Sequence, residues 1–128
     1  GFAVRNIVFP SDFTAESAGA IAGLKQVLAT FPEAQVHLLH VASGSDDAAA
    51  RSHIQAFASQ AGLANAQADV IRADSTTGGI EEFAKRVGAD LIVIPTHART
   101  GLSGFFNSSI AEAVATHAFP PVLTYHLQ

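Results

Sequence analysis

The chain has 128 residues and a formal charge of -4; 48% of its residues are hydrophobic, 14% are charged, and none is cysteine. That length fits one domain, 1–128, around a single core, and the lack of cysteine excludes disulfides, thiolate catalysis and Cys-based zinc sites. Of the seven Lys and Arg only Lys85 and Arg86 are adjacent and the rest are scattered singly, leaving no basic stripe for nucleic acid, and no apolar run approaches the roughly 20 residues of a membrane span.

Residues 6–9 (NIVF) form a short apolar run ended by Pro10, the pattern of a buried first strand. Thr14 is a candidate N-cap. After it Ala18, Ile21, Leu24, Leu28 and Phe31 recur at three- and four-residue steps and mark one helix face, which Pro32 terminates. Residues 36–41 (VHLLHV) read as the second strand. Ala50, Ile54, Phe57 and Ala61 define a second helix face closed by Gly62. Residues 68–72 have mixed polarity and are expected at a sheet edge. Asp74, Ser75, Thr76 and Thr77 open a third helix carrying Ile80, Phe83, Ala84 and Val87, with Gly88 as its stop. Residues 91–94 (LIVI) are the most apolar strand and are expected at the centre. A final helix bears Ile110, Val114 and Ala118, and residues 122–125 make the last strand.

Five strands alternating with four helices predict right-handed crossovers and a doubly wound α/β domain. Its five-stranded parallel sheet, in the order 3-2-1-4-5, is covered on both faces. Ile7, Val8, Leu39, Leu91, Val93 and Ile94 are then expected to be almost fully buried. Ligands of such sheets bind beyond the carboxyl ends of the strands, where the winding reverses. Here that point lies between strands one and four, past Pro10 and past Ile94.

Several chemistries lack their residues. The P-loop pattern, G-x-G-x-x-G and a nucleophile elbow are absent. His37 and His40 stand three apart on a strand and face opposite ways, so they cannot share one metal. A phosphate-receiving regulator would need a lysine near the fifth strand, and none lies beyond Lys85. Nothing places a nucleophile beside a base, so no catalytic residue is assigned and the expectation is a non-enzyme.

Four stretches in order carry a resemblance: 8–14 (VFPSDFT), 37–41 (HLLHV), 88–93 with 96–102 (GADLIV and THARTGL) and 120–123 (PPVL). Together they resemble the universal stress protein family over nearly the whole chain. The resemblance implies a Rossmann-like, adenine nucleotide alpha hydrolase-like fold and dimerisation through the last strand; the lack of cysteine is what leans the expected location to the cytoplasm. It also brings ATP or AMP with Mg into view as a cofactor. Asp12 sits where a family aspartate contacts the nucleoside, and Val41 where a valine backbone lines the adenine. Ser11, Thr96, His97, Ala98, Arg99, Ser108 and Ser109 complete the candidate crevice.

Each residue also has a plainer reading. Ser108 or Ser109 can serve as the N-cap of the last helix, Asp12 as a turn aspartate, and His97 with Arg99 as exposed loop residues. ATP-binding members carry three glycines in this motif, and the aligned positions here are Pro95, Ala98 and Ser108. Glycine lets the backbone approach a phosphate with no Cβ in the way, and Pro95 removes an N–H as well. The expected function is therefore a non-catalytic regulatory or protective module without robust ATP binding. The alternative is an ATP- or AMP-binding switch using the same crevice. Hydrolysis or autophosphorylation at Ser108 or Ser109 would need a positioned water and metal that the sequence does not display. The last strand, Val122 to Leu127, is too apolar for a bare edge, and a homodimer through it is expected.

Overall fold

The computed structural model describes residues 4–11, 18–42, 47–63, 66–97, 106–107 and 121–127. Its elements are β1 (Asn6–Pro10), α1 (Ala18–Thr30), β2 (Gln35–Ala42), α2 (Asp47–Ala61), β3 (Ala66–Arg72), α3 (Thr76–Val87), β4 (Leu91–His97), β5 (Phe106–Asn107) and β6 (Val122–Leu127). The final helix expected from Ile110, Val114 and Ala118, and the Thr14 cap, lie outside the described residues.

All the strands run parallel, and the long ones stand in the order β3-β2-β1-β4-β6. The predicted order 3-2-1-4-5 holds, with β6 in the fifth place. The two-residue β5 is an addition. It is too short to carry a hydrophobic period.

Alternation along the strands divides the core into two layers. Ile7, Phe9, Val36, Leu38, Leu91 and Val93 face α1 and α2, where Leu24, Val27, Ile54 and Phe57 meet them. Phe9 and Phe57 stack with ring centroids 5.7 Å apart. Val8, Leu39, Ile92 and Ile94 face the other way, against Ile80, Phe83 and Ala84 of α3. The six residues expected in the core are all buried. The apolar repeat of α1 missed Val27, which is buried, whereas Ile21, Leu28 and Phe31 are only partly so.

Local signals explain the element ends. Ser75 is extended (φ -140°, ψ 153°), and its side chain accepts the Gly78 N–H as the N-cap of α3. Gly88 ends that helix at φ 66°, a left-handed conformation that suits glycine. The chain then turns into β4 under the control of Asp90. Its carboxylate accepts the Arg5 N–H at 2.9 Å and the Asn6 N–H at 3.1 Å, which ties the starts of β1 and β4 together. Residues 68–72 do lie at an edge, since β3 pairs with β2 alone among the described strands.

Two expectations about strand ends need correction. Pro10 is the last residue of β1 rather than its stop. Likewise β4 does not end at Ile94: it continues through Pro95, Thr96 and His97. The reason is directional. Ile92 donates its N–H to the Pro121 carbonyl at 3.0 Å, so even-numbered residues of β4 aim their backbone groups at β6. The register with β6 is unbroken from Ile92 to His97. Pro95 therefore has its missing N–H on the opposite edge, the one facing β1, and no bond to β6 is lost.

Candidate functional site

The crevice is set by where β1 and β4 part. Their register holds at Ile7↔Leu91 and Val8↔Ile92, and no further pair follows. Past that point β1 stays with β2 through Pro10↔Leu39, while β4 runs on beside β6. The two central strands thus diverge at their carboxyl ends, where the winding of the sheet reverses.

Ser11 is the first residue past β1 on this rim. It is buried, and its N–H donates to the Leu39 carbonyl at 3.0 Å. Its own carbonyl lies 3.4 Å from His40 Nδ1, a contact that requires the ring proton on that nitrogen. Sequence reading passed over His40 here, because only the β1–β2 register brings it to Ser11. Val41 lies one residue further along β2, paired with Ile71 and half-buried.

The α3 helix comes in unusually close behind Val41. A Cβ placed on Gly79 would meet Val41 Cγ1 at 2.6 Å and Ala73 Cβ at 3.1 Å. Gly79 thus has no room for a side chain between Val41 and Ala73. A cavity of about 370 Å³ opens beside them at the ends of β2 and β3, lined by Ala42, Arg72, Ala73 and Asp74. Its lining was not foreseen, since nothing in the local pattern of residues 72–74 marks a wall.

On the other rim, Thr96 and His97 are strand residues rather than loop residues. Each is paired on both sides: Thr96 with Phe106 and His126, His97 with Asn107 and Leu127. Ser11 and Val41 thus lie on the β1–β2 side of the point where β1 and β4 part, and Thr96 and His97 on the β4 side. Asp12, Ala98, Arg99, Ser108 and Ser109 lie outside the described residues. Among the described residues no group of His, Asp and Glu is arranged to hold a metal ion, and no helix is long and apolar enough to cross a membrane.

This architecture belongs to the Rossmann-like α/β class, with its crevice at the reversal of winding. The chain belongs to the universal stress protein family, whose model matches residues 3–126. Among solved structures, a universal stress protein in complex with cAMP is similar over 99% of this chain and 100% of its own, at 20% identity and a TM-score of 0.74. A member of the family from Burkholderia pseudomallei is 21% identical over 98% of both chains, with a TM-score of 0.67. The universal stress protein from Archaeoglobus fulgidus in complex with dAMP is 22% identical, covering 96% of this chain and 98% of its own, with a TM-score of 0.61. No curated protein sequence matches the chain.

Proposed function

We propose that this chain is a non-catalytic module of the stress response, regulatory or protective in its action, whose crevice does not hold ATP robustly. The observation that carries this reading is the double pairing of Thr96 and His97. Phosphates at a glycine-containing loop are held by free backbone N–H groups. Here the strand continues through the first glycine position, Pro95, and the N–H groups just beyond it are drawn into ladders. Isothermal calorimetry with ATP and magnesium tests it. Affinity weaker than the low micromolar range is expected, and low micromolar binding overturns the reading.

A second reading has a specific support of its own. Similar structures are described as complexes with cAMP and with dAMP, and the fold of this chain matches theirs nearly end to end. In that reading the crevice holds ATP or AMP, with magnesium where a triphosphate is bound. Asp12 and the Val41 backbone take the nucleoside, Ser11 shapes the rim, and Thr96, His97, Ala98, Arg99, Ser108 and Ser109 approach the phosphate. A mononucleotide asks less of the glycine positions than a triphosphate does, so AMP is the sharper probe.

The same proposal places the module in the cytoplasm as a homodimer joined through Val122–Leu127. Its formal charge of -4 gives it no attraction for nucleic acid.

A further inference from the structure

We propose that β5 is a latch on the nucleotide crevice: its pairing with β4 occupies the backbone positions that the phosphate of an adenine nucleotide would use, and the nucleotide enters when β5 leaves. This rests on the second reading above for what the crevice accepts.

Pairing alone fixes where β5 lies. Ile92 pairs with Val8 of β1 and with Val122 of β6, so those strands lie on opposite edges of β4. Thr96 pairs with Phe106 and with His126. Because β6 keeps to one edge throughout, β5 must share the edge of β1. It therefore stands in line with β1, beyond that strand's end. Four residues separate Ile92 from Thr96, roughly 13 Å at the strand rise. Pro10 and Ser11 extend β1 two and three residues past Val8, roughly 7–10 Å. The latch thus sits across the mouth of the crevice, just past Ser11.

The alternation of β4 names the groups it takes. Odd-numbered residues aim their backbone groups at the β1 edge, because Ile92 aims its own at Pro121. On that edge the Pro95 carbonyl is offered to the Phe106 N–H, and the His97 N–H to the Phe106 carbonyl. The Asn107 N–H points away from β4. A nucleotide phosphate seeking the His97 N–H must therefore displace Phe106. Such a strand is easily opened: two paired residues are a minimal ladder, and Pro95 contributes no donor to it.

Two substitutions to proline separate the latch from simple stiffening of the chain. Phe106→Pro removes the N–H that faces Pro95, whereas Asn107→Pro imposes the same restraint one residue on and removes an N–H that faces elsewhere. Phe106→Ala controls for the lost ring. Calorimetry with AMP is expected to show Phe106→Pro binding about fivefold tighter than the parent, the equivalent of one net hydrogen bond. Asn107→Pro and Phe106→Ala should match the parent. Equal AMP affinity in Phe106→Pro and the parent overturns the latch, as does equal tightening by both prolines. Undetectable AMP binding in every folded variant removes the nucleotide reading itself, and the latch with it.

Amide exchange on the unmodified chain gives a measurement that survives a misfolded variant. The Phe106 amide is expected to exchange faster at saturating AMP than without it, and unchanged or slower exchange overturns the latch. The ATP reading is judged separately, on the parent's own affinity for magnesium-ATP. Weak binding of ATP with no effect of Phe106→Pro on AMP removes the latch alone. Low micromolar ATP binding with tighter AMP binding by Phe106→Pro removes the weak-ATP reading alone and leaves the latch and the nucleotide reading it rests on.

Discussion

Gly79 lies so close to Val41 that a Cβ added to it would stand 2.6 Å from one Val41 methyl carbon and 3.0 Å from the other. This contact converts a glycine in a helix into a constraint on β2. Alanine at position 79 would gain about 1 kcal/mol in helix propensity. Against that stands an overpacking penalty of about 1–3 kcal/mol. The penalty wins where the neighbour cannot retreat, and Val41 is held by the β2–β3 ladder at Ile71.

Gly79→Ala is therefore expected to destabilise the protein by about 1 kcal/mol net. In a Val41→Ala background the clash disappears, and the same substitution should become neutral or stabilising. Urea unfolding of the four variants measures the coupling. Additivity within about 0.5 kcal/mol would show that the two residues do not touch.

Asp90 supplies a second test, at the far end of the sheet from the crevice. Its carboxylate accepts two backbone N–H groups from Arg5 and Asn6. Asp90→Ala leaves both donors without that acceptor and should cost about 1–3 kcal/mol. Asp90→Asn keeps one acceptor oxygen and should cost less. Nucleotide affinity should be the same in both variants, because the tie lies at the amino ends of the strands. Unfolding midpoints for the pair that equal the parent would exclude the tie.

Much of this fold is written in local pattern. The runs at 6–9, 36–41 and 91–94 mark strands because each is apolar and bounded, and Ser75 and Gly88 mark the ends of α3 by the chemistry of caps. The crevice is legible only as a place. Whether Pro95 ends a strand depends on which edge its absent N–H faces, and that is settled by Ile92 bonding to Pro121, 29 residues downstream. In the same way β5 has no period to read, and His40 meets Ser11 only through a register between strands. Sequence shows which residues can build a wall; pairing decides which groups remain free on it.

Val93 tests the central position of β4. It is fully buried in the layer shared with Ile7 and Val36, and it pairs with Leu123 on the β6 side. Val93→Ala is expected to cost about 1–5 kcal/mol through lost transfer energy and an unfilled cavity. The cost should lie toward the lower end, because only two methyl groups are removed. An unfolding midpoint identical to the parent's would place β4 away from the core.

The two edges of the sheet differ, and the difference directs the dimer prediction. At β3 the Arg51 side chain reaches over from α2 and donates to the Ala68 carbonyl at 3.2 Å, covering part of that edge. Half-buried Asp69 and exposed Gln67 add polar bulk there. Such devices protect an edge from pairing. At β6 the described side chains offer nothing similar: Thr124 is exposed, and Leu123 is 41% exposed, the one large hydrophobic so placed among the described residues. Two β6 strands meeting about a two-fold axis would satisfy their free backbone groups and bury both copies of Leu123. Light scattering should then give twice the chain mass of 13.2 kDa. Leu123→Lys should shift the protein toward the monomer, since two like charges would face each other across the axis. Arg51→Ala should leave the dimer intact, because it opens the other edge. A parent that scatters as a single chain at high micromolar concentration, or a dimer indifferent to Leu123→Lys, would rule out this interface.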